Sequence, residues 1–382
     1  ADPGHAGEAR GDPISDQHQG YDVAVVGGGV IGLAVAWRAR SRGLSVCVLE
    51  RGEPGGGASR VAAGMLAPVS EADAGERALL ALGLESARRW PAFAAELAEV
   101  SGLPVGYRAC GTLVVARDRD DAEALERELA LRERLGVRAR RLLPTEARRR
   151  EPALAPGVRL AFEAPDDHAV DPRLVTAALA RAAQRAGVVL HTRAEVGELL
   201  PGEGLRLTDG ATVRAERIVV AAGAWSASLA PAPVRPVKGQ VLRLRDPAGP
   251  GLLERVVRFD GGYLVPRGDG RYVLGGTVEE QGFDTSITAG AAYELLRDAS
   301  EIVPGVLELE VEEHIAGLRP GTPDNAPLLG AGPGGVVWAT GHFRNGILLA
   351  PVTADLVVAE LTGEAARHEF GPARFALEEA PA

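Results

Sequence analysis

The chain has 382 residues, and single hydrophobic cores usually stop growing at ~250, so two domains are expected. Apolar residues make up 46% and charged residues 25%, a globular balance that excludes a disordered or fibrous protein. The formal charge is −10, from 42 Lys plus Arg against 52 Asp plus Glu, which makes nucleic acid or an anionic membrane a poor general partner.

Residues 1–20 are polar, acidic and rich in Gly, Asp and Pro, without an apolar h-region, and read as a disordered tail rather than a signal peptide. No run of about eighteen apolar residues occurs, so no membrane helix is expected and the cytoplasm is the expected location. Tyr21–Val26 reads as a buried strand, Val30–Arg42 as a helix that Gly43 ends, and Leu44–Leu49 as a second buried strand. Cys47, inside that strand, reads as a small buried hydrophobe. With Cys110 as the only other cysteine, neither a disulfide framework nor a four-thiolate metal site is implied. A glycine-rich turn, Gly55–Gly57, leads into the small-residue stretch Ala58–Gly64. A long amphipathic helix is expected over Ala74–Glu99, with Trp90-Pro91 as a kink or boundary. A strand at Thr112–Ala116 precedes an acidic, Arg-rich helix at Arg119–Leu135. Asp171 and Pro172 mark the start of a helix that runs to Ala186 and stops at Gly187, and Val188–His191 resumes as strand. Leu205–Leu207, Ala211–Arg214 and Ile218–Val220 read as short strands of a small antiparallel or mixed sheet. Val237–Val278 reads as short β segments separated by turns, and helices follow at Ala289–Ile302 and from Asn345 to Leu361. This order implies a dinucleotide domain interrupted by a β-rich domain and completed by the last helix.

The run Gly27-Gly28-Gly29-Val30-Ile31-Gly32 follows a strand and opens a helix. Gly27 permits a tight turn, Gly29 lets a pyrophosphate approach the backbone, and Gly32 allows close packing of helix on strand. Free N–H groups at the helix start, from residues such as Val30 and Ile31, then meet the phosphates. Glu50 ends the next strand and can accept hydrogen bonds from a ribose diol. Its charge argues against a 2′-phosphate, an argument that neighbouring Arg51 weakens slightly. The fingerprint does not separate FAD from NAD. The stretch Ala58–Gly64, with the polar groups of Ser59 and Arg60, favours a flavin, because it can track an extended diphosphate.

The run Ala62-Ala63-Gly64-Met65-Leu66-Ala67-Pro68 resembles the flavin-side loop of the glycine oxidases in the D-amino acid oxidase family. The resemblance continues in Pro236–Gln240, in Gly262-Tyr263-Leu264-Val265-Pro266-Arg267, and in Gly317-Leu318-Arg319-Pro320-Gly321-Thr322. It ends with Gly341–Pro351, and the segments follow the family's order. What this implies is an α/β fold, a Rossmann-like FAD-binding domain with an inserted antiparallel-β substrate domain. Residues 21–100, 160–235 and 315–370 would form the first and residues 101–159 and 236–314 the second. The resemblance also implies oxidation of an amine beside a carboxylate, with the imine leaving or hydrolysing and oxygen reoxidising the flavin to give hydrogen peroxide. Glycine is the expected substrate and sarcosine a slower one, with the imine feeding thiazole formation in thiamine synthesis. No cysteine lies near Arg319, so the FAD is expected to be non-covalent. Relatives imply a homo-oligomer.

Carried onto this chain, the resemblance makes Arg319 the clamp for the substrate carboxylate. Tyr263 adds a hydroxyl hydrogen bond or helps close the site, and Arg344 orients the loop beside substrate and flavin. The region after Gly276, including Val278, lines the pocket. Expected flavin contacts are Ser59, Ala63, Gly64 and Met65, then Gly223, then Arg344, Asn345, Gly346, Ile347 and Leu348. Gly261 stands where some relatives carry a larger polar residue, which leaves the pocket's shape open.

Physical chemistry gives these residues separate reasons. A small amino acid binds through its charges, and Arg presents a planar fork that matches a carboxylate. Leu318 and Pro320-Gly321 are expected to set Arg319 at a rigid turn. The start of the last helix would stabilise negative charge on a reduced flavin pyrimidine. The favoured mechanism has no catalytic acid or base: a neutral amine, oriented by Arg319 and Tyr263, gives up its α-hydrogen as hydride. His342 is the nearest candidate base but reads better as a turn-packing residue. Asp166-Asp167-His168 reads as a loop before the Asp171 cap rather than a metal site. The alternatives are an oxidase for sarcosine, proline or larger D-amino acids, a dehydrogenase with another electron acceptor, or a non-enzymatic flavoprotein. The set Arg319, Tyr263 and Arg344 counts against the last.

Overall fold

The computed structural model describes residues 20–332, 335–364 and 368–375, so the tail expected at 1–20 lies outside them except for Gly20. The chain begins with β1 (Tyr21–Val26), α1 (Val30–Ser41) and β2 (Val46–Glu50), the strand–helix–strand unit expected. A single turn, α2 (Ala58–Val61), and β3 (Met65–Leu66) precede the long α3 (Arg77–Ser101). Next come β4 (Thr112–Ala116), α4 (Arg119–Arg134), β5 (Arg140–Leu142), α5 (Pro144–Arg150), β6 (Leu160–Ala164) and β7 (His168–Ala169). Then α6 (Pro172–Ala186) leads to β8 (Val189–Thr192), β9 (Val196–Leu200), β10 (Gly204–Leu207) and β11 (Thr212–Val220). The second half contains β12 (Arg235–Arg245), β13 (Val256–Phe259), β14 (Gly262–Pro266), β15 (Arg271–Gly275), α7 (Ala289–Ile302) and β16 (Glu310–Gly321). It ends with β17 (Leu328–Ala331), β18 (Val336–Thr340) and α8 (Gly346–Leu361).

The first sheet has the order β17-β18-β11-β1-β2-β8, parallel from β18 to β8, with β17 antiparallel at its edge. Val23 and Val25 of β1, with Val46 and Val48 of β2, pack with the core formed by α1, α3, α6 and α8. The alternate residues Ala24, Val26, Cys47 and Leu49 enter the core on the opposite face. Strands covered on both faces must be apolar throughout, which is why they read as continuous hydrophobic runs. Cys47 is fully buried, and burial pushes its thiol up to about 12. The start of α6 is as expected: the Asp171 carboxylate accepts the Arg173 N–H at 2.9 Å, and Gly187 takes the left-handed C-cap conformation.

The second sheet has the order β16-β12-β15-β14-β13-β4-β6-β5. It is antiparallel except for the parallel pair β13 and β4, so the expected antiparallel domain is in detail mixed. Its outer face, through Leu242, Leu244, Leu264 and Leu274, packs on Leu295, Ala299 and Ile302 of α7. Its inner face, through Val241, Val256, Val265 and Val273, packs on Val61 and Ala63 from the first domain.

Several expectations are corrected. β6 and the whole of β16 belong to the second sheet, so the boundaries expected at 160 and 315 fall later, after residues 164 and 321. Ala211–Arg214 and Ile218–Val220 belong essentially to one strand, β11, whose first part pairs with β10 and whose second part joins the first sheet beside β1. α3 continues through Pro91, so no helix boundary falls at Trp90.

Candidate active site and cofactor cleft

One cavity of about 1500 Å³ runs from the glycine turn after β1, past the loop between α2 and β3, to the inner face of the second sheet. At its first end, Gly27 has φ +107°, and a β-carbon there would stand 2.4 Å from the Ala221 carbonyl oxygen. A β-carbon on Gly32 would stand 1.9 Å from the Gly27 carbonyl oxygen. Only glycine fits either position. A β-carbon on Gly29 would meet just Ser59 Oγ, at 3.4 Å. Gly29 therefore faces the cleft. Ser59 Oγ accepts the Val30 N–H at 3.1 Å, while the N–H groups of Ile31 and Gly32 find no acceptor among the described residues. Glu50 accepts N–H groups from Gly28 at 2.7 Å and Gly52 at 2.8 Å, which aligns its carboxylate at the cleft wall. The Arg51 guanidinium stacks on Trp225, 3.7 Å from the ring centroid, in the short helical turn that Gly223 opens. Arg60 corrects an expectation: its side chain pairs with Glu313 and does not line the cleft.

Midway, Val61 to Met65 line the cavity. The Ala63 and Gly64 N–H groups have no acceptor among the described residues. The start of α8 presents Gly346 and Ile347 to the same space, and exposed Arg344 lies beside them over the Phe343 ring. Asn345 and Leu348 do not line this cavity. Leu348 is buried, and its carbonyl accepts Ser86 Oγ–H at 2.6 Å and Trp90 Nε1–H at 2.8 Å.

At the far end, strand register assembles the site. Ile315, Val241, Gly275, Tyr263, Arg258 and Val114 are successive cross-strand partners from β16 to β4. Arg319 lies four residues beyond Ile315 and so shares its face. It sits within strand β16 rather than at the expected turn; β16 is an edge strand, where Pro320's missing N–H is tolerated. The guanidinium is steered by its Nη1, which donates to the Thr277 carbonyl at 2.9 Å and the Lys238 carbonyl at 3.2 Å. It rests over Gly239, where a β-carbon would stand 2.2 Å from Nη1. The Tyr263 hydroxyl and Arg319 Nη2 both lie within 3.3 Å of where a Gly276 β-carbon would stand. Burial raises the Tyr263 pKa against the opposing pull of Arg319, so the hydroxyl remains a donor at neutral pH.

Two fastenings hold the walls. Lys238 Nζ reaches Asp284 at 2.7 Å, and Gln240 donates to Glu279 at 2.8 Å while accepting the Thr288 N–H at 2.9 Å, which anchors the segment bearing Thr277 and Val278. Asp167 accepts N–H groups from Val69 at 3.0 Å and Ser70 at 2.6 Å, and Arg132 donates to both their carbonyls. Burial drives the Asp167 carboxyl up to about 7. The Asp166–His168 run thus acts as a loop clamp. His342 is buried, bonded through Nε2 to Thr353 Oγ1 at 3.0 Å, and desolvation brings it down to about 3. It stays neutral at working pH and packs the turn, as read from sequence.

A glycine turn at a helix start, a carboxylate at the end of the second strand and an arginine–tyrosine pair at the other end of one cleft define a dinucleotide-dependent oxidoreductase of two domains. The family is equally definite: residues 22–360 match the model of the DAO family, FAD dependent oxidoreductase, and the chain belongs to it. It is 37% identical to the glycine oxidase of Geobacillus kaustophilus, over 94% of this chain and 96% of that protein. The crystal structure of that glycine oxidase superposes with a TM-score of 0.87, covering 95% of this chain and 99% of the other. The bifunctional protein ThiO/ThiG of Synechocystis is 36% identical over 93% of this chain, which spans only 54% of that longer protein. The crystal structure of iminodiacetate oxidase from Chelativorans has a TM-score of 0.83 at 30% identity, covering 92% and 99% of the two chains.

Sequence reasoning missed Trp225, the seat that Gly239 provides for Arg319, and the carbonyl of Thr277. Gly239 stood within a quoted segment, but only β-strand register shows what it accommodates. Trp225, one of only four tryptophans and two residues beyond Gly223, offered a compositional signal.

Proposed function

We propose that this enzyme oxidises glycine, and more slowly sarcosine or other small amino acids, with non-covalent FAD as cofactor and oxygen as electron acceptor. The observation that carries the reading is the pairing of Arg319 and Tyr263 on the wall of the cleft that begins at the glycine turn. The adenylate and pyrophosphate would lie along Gly27, Gly29, Val30, the free N–H groups of Ile31 and Gly32, and Ser59, with the ribose on Glu50 and Arg51 nearby; the Val30 N–H itself is already taken by Ser59 Oγ. The flavin would lie along Ala63, Gly64, Met65 and Gly223, with Gly346 and Ile347 aiming helix N–H groups at it. Asn345 and Leu348 would contribute through the helix start rather than as wall residues. Neither cysteine lines the cleft, consistent with a non-covalent cofactor. Bound there, FAD supplies the acceptor for the two electrons and the hydrogen leaving the substrate α-carbon, and oxygen takes them on to hydrogen peroxide.

The protein's own part is orientation. Arg319 binds the substrate carboxylate through its fork, Tyr263 donates a hydroxyl hydrogen bond to it, and Arg344 steadies the adjoining turn. No side-chain base is needed, because the amine reacts in its neutral form and His342 is too weak a base to take its proton. The imine formed is proposed to supply thiazole synthesis in the thiamine pathway, a reading supported by the likeness to ThiO/ThiG. We place the enzyme in the cytoplasm as a homo-oligomer; no helix among the described residues is long and apolar enough to cross a membrane.

The test is anaerobic mixing of the purified yellow protein with glycine, which should bleach the flavin, followed by peroxide assays on glycine, sarcosine, D-alanine, D-proline and bulky D-amino acids. A tenfold preference for bulky substrates would overturn the assignment. A second reading, an N-substituted glycine larger than sarcosine, is favoured by the continuation of the cavity past Tyr263 to Arg258 and Glu128. Iminodiacetate belongs in the same panel.

A further inference from the structure

Behind the loop Arg60–Gly64, on the side away from the cleft, stands a cluster of arginines from three elements. Arg243 of β12 donates to the Arg60 carbonyl at 3.0 Å, and Arg173 of α6 donates to the same oxygen at 3.1 Å. Arg267, just past β14, spans two segments, donating to the Ala63 carbonyl at 2.8 Å and the Val170 carbonyl at 2.9 Å. The Gly64 carbonyl accepts the Val170 N–H at 2.9 Å, and a Gly64 β-carbon would stand 2.0 Å from the Val170 carbonyl oxygen. The loop is therefore wedged between β7, the start of α6 and the inner face of the second sheet.

The charges are only partly matched. Arg60, Arg173 and Arg243 share Glu313, and Arg267 has Asp171 at 3.7 Å. The Arg267 side chain is 5% exposed, and the buried Nε atoms of Arg243 and Arg267 have no hydrogen-bond partner among the described residues. Burial, then the nearness of Arg173 and Arg267, brings Arg243 down to about 10, so it remains cationic at neutral pH. The loop lines the cavity with its Arg60, Ala63 and Gly64 carbonyls engaged elsewhere, while its Ala63 and Gly64 N–H groups have no acceptor among the described residues.

We propose that Arg267 and Arg243 are positioning residues for the flavin: they hold the loop's carbonyls from behind, across the domain boundary, so that its N–H groups and small side chains meet the ring. The inference rests on the FAD placement proposed above. Its consequence is selective, because the clamp lies behind the flavin end of the cleft and far along the chain from the turn at Gly27 and Glu50. Losing it should weaken binding of the whole dinucleotide but not of its adenylate half.

The test compares FAD and ADP binding to full-length protein stripped of cofactor, by calorimetry, for wild type, Arg267→Met, Arg267→Lys and Arg243→Met. For Arg267→Met the FAD dissociation constant should rise about tenfold or more, the effect of losing charge-assisted bonds to buried carbonyls. ADP affinity should stay within about twofold, with Arg267→Lys between Met and wild type. A parallel loss of FAD and ADP affinity, a selective loss for ADP, or no change in either would overturn the proposal. If Arg267→Met does not fold, Arg267→Lys and Arg243→Met decide by the same criterion. Should the wild type bind ADP but not FAD, or neither, the FAD placement itself fails, a result distinct from failure of the clamp.

Discussion

The two ends of the cleft are built on different principles. At the nucleotide end, the glycine turn, the helix start and Glu50 come from thirty contiguous residues, 21–50, and each part holds the next: Glu50 accepts the Gly28 N–H, and Gly32 leaves room for the Gly27 carbonyl. At the substrate end, Arg319, Gly239, Gly276 and Tyr263 come from separate strands or their ends and meet only because the sheet pairs them in one register. A local motif tolerates change around it, whereas a site made by register depends on every strand between its parts. Perturbation should therefore cut sharply at the substrate end and gradually at the nucleotide end.

The largest expected effect belongs to Arg319→Met, which should lower kcat/KM by two to three decades, about 3–4 kcal/mol, while the bound flavin spectrum persists. Loss of the flavin together with activity would show that the two ends are not separable. Next comes Gly239→Ala, which leaves every expected substrate-binding side chain in place but puts a methyl where the Arg319 guanidinium rests. The KM for glycine should rise by about tenfold or more with a much smaller change in kcat, as expected when a ground-state clamp is displaced. An unchanged KM would mean that the clamp does not need this seat. At the nucleotide end, Ser59→Ala removes the acceptor for the Val30 N–H. A lost capping bond is worth about 1 kcal/mol, so FAD should bind about fivefold more weakly with kcat unaltered in the saturated enzyme. The smallest effect concerns pH. The proposed mechanism uses neutral amine, whose fraction grows as pH rises, so kcat/KM for glycine should climb steadily through neutrality. His342, neutral above about pH 3, should add no step. A break between pH 6 and 7 in stopped-flow reduction rates would restore it as a candidate base.

The same division governs what could be read in advance. The amphipathic α6, with Asp171, Pro172 and Gly187 at its ends, was legible to the residue because capping is local chemistry. The strand Glu310–Gly321 was not. It carries charged residues at its exposed end and a proline near its other, so hydrophobic periodicity gives no signal and Arg319 reads as part of a turn. Leu348 reads as a helix-start residue beside the cofactor, yet its side chain lies in the core, because helix phase points it at α3 rather than at the cleft. Phase depends on where a helix docks, which neighbours along the chain do not encode.

By itself, the order of residues determined the strand–turn–helix that receives a dinucleotide, the acidic group ending the second strand, and the small-residue loop beside it, since all of these arise from backbone sterics and hydrogen bonds between near neighbours. The tertiary structure alone decided that Arg319 lies over Gly239 beside Tyr263, that Trp225 backs Arg51, and that arginines from three distant segments grip one loop. Those arrangements depend on strand pairing and domain packing, where the partners stand from about eighty to just over two hundred positions apart and only burial brings them together.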